Sequence, residues 1–240
     1  GAAPSAAWIA REVTFPNCMV DRITPATDDA HRALLAREYG VADRWPVVAE
    51  PFLQWVIEDT FVAGRPRWEL AMPSDVLVTS NVEPYELMKL RLLNSAHSAL
   101  SYAALLCDHV HVDSALADPD VFAYLRAYMS EVVKTLEEVQ GVDLAEYQRS
   151  LLERFSNTYI KDKLSRLALD GSQKFMNTLK DALLAYREKM AFTREITAKA
   201  ANWILPRDRH AGEGTSMVAL ALAAFMRYCN STDLDGELLP

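Results

Sequence analysis

The chain has 240 residues and a mass of 26.9 kDa, with 50% hydrophobic and 24% charged residues, which suffices for a substantial buried core and excludes disordered, collagenous and disulfide-stapled sequences. A formal charge of -8 and a pI near 5.2 argue against nucleic acid or an anionic membrane as partner, because either needs a positive field on the protein. A small polar substrate fits that charge better.

The first third alternates strand-like and helical signals. Residues 8–16 (WIAREVTFP) read as a short strand ended by proline, and residues 19–25 (MVDRITP) as a second. Thr27 or Asp28 can cap a helix over residues 29–39, closed by Gly40. Residues 47–51, 68–70 and 75–78 supply further strand candidates. From Pro84 onward the pattern changes to long 3.6-residue periods, and a helix entered through Pro84 meets no breaker until residue 106. Asp118-Pro119 opens another that extends towards Glu138, and Asp143 caps a third through Phe155. A short helix over residues 161–169 stops at Asp170-Gly171. Ser172 then caps a helix of about 18 residues, Thr193 one through Ile204, and Ser216 one through Cys229. No period of 20 to 50 residues recurs, so the helices form a domain and not a solenoid.

The eight glycines, at positions 1, 40, 64, 141, 171, 212, 214 and 236, form no G-x-G-x-x-G or G-x-x-x-x-G-K-[ST] loop. The longest apolar stretch, residues 217–226, is about half of what a bilayer span requires. Cys18, Cys107 and Cys229 are far apart and odd in number, so a reducing, cytoplasmic setting is expected, with no disulfide framework. His109 and His111 would share one side of a strand, but no third ligand completes a set and no metal is expected. The Asn230-Ser231-Thr232 acceptor pattern is read as chance.

Residues 84–98 (PYELMKLRLLNSAHS) carry the most chemistry. On an ideal helix, taking Lys89 as zero, Glu86 falls at about 60°, His97 at about 80° and Asn94 at about 140°. Four polar groups thus share a face with Leu90 and Leu93. Apolar neighbours of that kind lower a lysine pKa and make its neutral amine a usable general base. Lys89 and His97 would be about 12 Å apart along the axis, so a common site requires long side chains or a kink. The plainer alternative is an exposed face with an i,i+3 ion pair. A second candidate is the junction over residues 166–174 (RLALDGSQK), which can aim Arg166 and Lys174 at one oxygen-rich ligand. Its alternative is a capped turn with solvated charges.

These segments, with residues 15–25 (FPNCMVDRITP) and 50–59 (EPFLQWVIED), resemble the polyol-specific long-chain dehydrogenase/reductase family, whose K-x-x-x-x-N-x-x-H signature is intact as Lys89, Asn94 and His97. The resemblance implies hydride transfer between a sugar polyol and NAD or NADP without zinc. Lys89 would be the general base, Asn94 a donor to the oxygen where charge develops, and His97 the group that orients it. Asp21, Arg166 and Lys174 match positions that contact the remaining hydroxyls, and Glu86 is assigned a proton-relay role from its one-turn spacing. The first two blocks and the start of the residue 84 helix read closest to the branch acting on mannitol and fructose, with the arabinitol and fructuronate branches open.

The fold implied is mainly α. A multi-helical substrate domain like the C-terminal domain of 6-phosphogluconate dehydrogenase, residues 79–240, follows a small mixed α/β segment, residues 1–78, from the end of a Rossmann-type domain. The chain is therefore expected to be a fragment, inactive without its nucleotide domain, of a protein that is monomeric at full length. From a different class, a catalytically silent helical binding module is the competing reading.

Overall fold

The computed structural model describes residues 2–174, 178, 180, 184, 185 and 217–229. The chain divides into two compact units, Gly1–Glu86 and Leu87–Pro240. The helix expected over residues 193–204, most of that opened by Ser172, the Ser216 cap and the residue 230–232 acceptor lie outside the described residues.

In the first unit, helix α1 (Ala2–Glu12) is followed by β1 (Cys18–Asp21), α2 (Asp29–Tyr39), β2 (Gln54–Glu58), the one-turn α3 (Trp68–Ala71) and β3 (Val76–Thr79). The strands form one sheet in the order β1-β2-β3. β1 runs antiparallel to β2, with Cys18 opposite Ile57 and Asp21 opposite Gln54. β2 and β3 are parallel, Trp55 opposite Val76, and α3 lies in the connection between them, as parallel pairing requires a crossover. Met19, Val56, Ile57 and Val76 are the buried residues of the three strands' apolar positions.

Helix α2 forms as its sequence dictates. The Asp28 side chain accepts from the His31 amide at 3.0 Å, the Asp28 amide donates to His31 Nδ1 at 3.2 Å, and Gly40 closes the helix at φ 67°.

Three strand expectations fail, each for its own reason. Residues 8–16 do not pair; residues 2–12 are the helix α1, since the alanine-rich start favours helix and Pro4 falls in a first turn where no N–H is needed. Residues 68–70 are the turn α3, held by Arg65, whose guanidinium donates to Asp59 at 3.0 Å and to Glu69 at 2.8 Å. Residues 47–51 form no strand because the polar groups of Glu50 are committed elsewhere. Its amide donates to the Ile23 carbonyl at 3.1 Å, its carboxylate accepts the Ile23 amide at 2.5 Å and its carbonyl accepts Arg22 Nε at 2.9 Å; Pro51 then offers no donor.

The second unit is helical. α4 (Glu83–Met88), in which the boundary between the units falls, runs through a π turn (Lys89–Asn94) into α5 (Ser95–Leu105). After it come α6 (Val112–Leu116), α7 (Pro119–Val132), α8 (Leu144–Phe155), α9 (Leu164–Ala168), α10 (Gly171–Lys174) and, beyond the undescribed stretch, α11 (Met217–Tyr228). α5 is the hub, packing against α7, α9 and α11. Its Tyr102 meets Ala168 of α9 and Ala224 and Tyr228 of α11 in one buried cluster.

Aspartates start these helices where expected. Asp118 accepts from the Asp120 amide at 2.9 Å, and Asp143 from the Ala145 and Glu146 amides at 2.8 and 3.2 Å. α7 is shorter than its sequence predicts. The Thr135 hydroxyl takes the Val132 carbonyl at 2.7 Å, and a 3-10 turn over Val133–Thr135 ends the helix instead of continuing it to Glu138. α10 begins one residue early, at Gly171, so Ser172 lies inside its first turn and is not its cap. The Met217 and Val218 amides at the head of α11 donate to the two carboxylate oxygens of Glu131 on α7, at 2.9 and 3.0 Å.

Candidate functional site

Lys89, Asn94 and His97 occupy one continuous helix, and all three side chains are half-buried. The helix is not uniform between them. The Ser95 amide donates to the carbonyl of Leu90, five residues back, where an α-helix would use Arg91. A π turn holds an extra residue, so every side chain beyond it lags by about 100° relative to an ideal α-helix. Asn94 moves from about 140° to about 40° from Lys89, and His97 from about 80° to about -20°. Lys89, Asn94 and His97 then span an arc of about 60° in place of 140°. The irregularity that a shared site requires is thus a π turn inside the signature itself. Nothing in the run KLRLLN, which lacks glycine and proline, signals it.

Contacts from the rest of the second unit fix this helix. The His97 imidazole stacks on Phe155, at the C-terminal end of α8, with ring centroids 4.2 Å apart. Arg91 reaches the Thr135 carbonyl at 2.8 Å, and Ser98 Oγ donates to the Asn94 carbonyl at 3.3 Å. Phe155 and Arg91 hold this helix without having appeared among the sequence candidates. Their partners, His97 and Thr135, lie tens of residues away in the chain, beyond the range of a spacing argument.

Arg166 and Lys174 are brought into one electrostatic neighbourhood by α9 and α10. Arg166 Nε donates to Asp162 Oδ1 at 2.7 Å and a second guanidinium nitrogen bonds Oδ2, which raises the arginine pKa while keeping the charge in place. Lys174 Nζ donates to the Leu167 carbonyl at 3.0 Å. Burial lowers the Lys174 pKa, Asp170 and Asp162 oppose that, and Arg166 adds to it. The chain turns between the helices at Asp170, whose φ is 56°. Asp162, buried at 5% exposure, is the anchor missed by the sequence reading.

Asp21 and Glu86 belong to the first unit. Asp21 ends β1 and is fully buried, while Glu86 is exposed on α4.

The paired histidines do not share a strand. His109 Nε2 lies 3.3 Å from Asp118 Oδ2, and His111 begins α6 after an isolated bridge to Lys163. Among the described residues no three His, Cys, Asp or Glu side chains converge as a metal site. No described glycine builds a phosphate cradle. Gly40, Gly64 and Gly141 are isolated turn residues with positive φ and open space where a Cβ would stand. No helix among the described residues is long and apolar enough to cross a membrane.

Residues 2–70 match the family model for the mannitol dehydrogenase Rossmann domain, and residues 81–217 that for the mannitol dehydrogenase C-terminal domain. The chain is 40% identical over 233 residues to mannitol dehydrogenase DSF1 of Saccharomyces cerevisiae, covering 97% of this chain and 42% of that protein. It is 45% identical over 197 residues to the mannitol 2-dehydrogenase of Phaeosphaeria nodorum, covering 82% and 35%. Among solved structures it is similar to the Pseudomonas fluorescens mannitol 2-dehydrogenase in ternary complex with NAD and D-mannitol, with TM-score 0.76, 42% identity and coverage of 98% of this chain and 43% of that one. A substrate-free D-sorbitol dehydrogenase matches with TM-score 0.78, 30% identity, and coverage of 98% and 44%. The chain spans less than half the length of these relatives.

Proposed function

The chain belongs to the mannitol dehydrogenase family, and from that premise we propose that it carries the proton-transfer machinery of an NAD-dependent polyol dehydrogenase acting on mannitol or a close relative to give the ketose. The observation that carries the reading is the intact Lys89, Asn94 and His97 set, gathered within a narrow arc of one helix by the π turn. The relatives named mannitol 2-dehydrogenase and the NAD and D-mannitol held by the Pseudomonas fluorescens enzyme support the substrate class and favour NAD over NADP. They also favour this reading over the arabinitol and fructuronate branches and over a silent binding module.

A bound nicotinamide would supply the hydride acceptor; no residue of this chain is assigned to its pyrophosphate. During oxidation the neutral Lys89 amine takes the proton from the reacting hydroxyl, and during reduction the ammonium returns it. The Asn94 amide donates to that oxygen as negative charge develops, and His97, held flat by Phe155, orients it. Glu86 is the proton's route onward from Lys89. Arg166, Lys174 and Asp21 bind the remaining hydroxyls, with Asp162 fixing the guanidinium of Arg166. Residues 1–78 are read as the end of the dinucleotide domain, and residues 79–240 as the helical substrate domain, of the type that closes 6-phosphogluconate dehydrogenase.

The test uses a protein in which these 240 residues are joined to a dinucleotide-binding segment. Lys89→Ala is expected to abolish mannitol oxidation with NAD affinity retained by calorimetry. Unchanged turnover would remove the general-base role, and a panel of polyols and ketoses with NAD and NADP would rank the substrates.

A further inference from the structure

The π turn leaves the carbonyl of Arg91 without its α-helical partner, because the Ser95 amide that would have served it donates to Leu90 instead. This carbonyl is not left to solvent. The hydroxyl of Ser95, fully buried, donates to it. With its single proton spent there, Ser95 Oγ can act towards other groups only as an acceptor. Tyr128 of α7 is also fully buried. Leu92 of the same helix as Ser95 and Leu125, Met129 and Val132 of α7 are buried too, none more than 1% exposed. In such surroundings an unmet carbonyl costs about 1–3 kcal/mol.

Two arrangements of the helix are therefore in competition. In the α form the residue 95 amide satisfies Arg91, and Asn94 and His97 rotate by about 100° away from their present positions relative to Lys89. In the π form the Arg91 carbonyl needs a substitute donor. We propose that Ser95 is a positioning residue: its hydroxyl supplies that donor and so holds the widened turn that keeps Asn94 and His97 on the face of Lys89. Arg91 assists from just past the C-terminal end of α7, where its guanidinium reaches the Thr135 carbonyl at 2.8 Å. The inference rests on the general-base reading of Lys89 and adds to it the groups that set the geometry.

The experiment compares Ser95→Ala and Ser95→Thr with Lys89→Ala in the protein joined to a dinucleotide-binding segment, using mannitol and NAD. Displacement of reacting groups on the scale of an ångström costs about 100-fold in rate. Ser95→Ala is accordingly expected to lower kcat about 30- to 100-fold with KM for mannitol and the NAD dissociation constant little changed. Ser95→Thr, which keeps the hydroxyl, should recover most of kcat. Should the alanine variant fail to fold, Ser95→Cys, of similar size but a weak donor, is expected to show the same selective loss of kcat. Wild-type kcat in Ser95→Ala or Ser95→Cys, with Lys89→Ala inactive, overturns the positioning role alone. An active Lys89→Ala overturns the general-base reading on which it stands.

Discussion

The imidazole of His97 lies against the ring of Phe155 with centroids 4.2 Å apart and planes 24° from parallel. The contact ties the last residue of the signature to the C-terminal end of a helix more than fifty positions downstream, and it orients the imidazole by shape. Phe155 is 3% exposed. Phe155→Ala should cost about 3–5 kcal/mol of stability from lost burial and the cavity left behind. Phe155→Leu should cost less and still lower turnover, because the flat wall is gone. Denaturant unfolding and steady-state kinetics of the two variants separate the effects.

Glu131 holds the head of α11 through the amides of Met217 and Val218. Hydrogen bonds to a charged acceptor contribute about 1.5–3 kcal/mol. Glu131→Ala should speed amide hydrogen exchange across Met217–Tyr228 and leave α2 unchanged. Equal exchange in both proteins would show that the carboxylate does not anchor the helix.

Gly171 sits where a Cβ would be 3.0 Å from the Tyr102 hydroxyl and 3.3 Å from the Phe225 ring. The neighbours are rigid rings in a buried cluster, so Gly171→Ala should destabilise by about 1–3 kcal/mol through overpacking. Removing the tight oxygen in the double variant Gly171→Ala with Tyr102→Phe should recover part of that loss. A thermal-unfolding double-mutant cycle measures the coupling.

Asp118 gives the start of α7 a pH dependence with a definite sign. The Asp120 amide, then that of Val121 and the His109 side chain, hold its carboxyl below the usual range, against a weaker opposing effect of burial. A folded-state pKa below the unfolded value of about 3.9 means that the contribution is present above that pH and is lost as pH falls through the folded value. Asp118→Ala should therefore cost about 1 kcal/mol at pH 7, with the gap to the parent closing in strongly acidic solution. Urea midpoints of both proteins across that range read the difference.

Arg166 is fixed by Asp162 through two bonds from its guanidinium. On the substrate-binding assignment, Arg166→Ala should raise KM for mannitol more than it lowers kcat. Asp162→Asn should weaken binding in the same direction, as the guanidinium loses its anchor. A fall in kcat at constant KM in both would place Arg166 in the chemical step instead.

How far the sequence reached depends on the range of each interaction. Asp28, Gly40, Asp118 and Asp143 marked helix ends because a cap acts on amides only two or three residues away. The K-x-x-x-x-N-x-x-H spacing, with the blocks around Asp21 and Glu50, pointed to the family before any coordinates. The strand expected over residues 47–51 failed on a partner a local pattern does not contain, the Ile23 backbone that engages Glu50. The phase of the site was likewise out of reach. Where the backbone hydrogen bond skips from Arg91 to Leu90, the buried hydroxyl of Ser95 meets the Arg91 carbonyl. Sequence by itself determined the family and where most helices begin; tertiary packing decided the phase of the helix that carries Lys89, Asn94 and His97, because burial of that helix makes an unmet carbonyl costly.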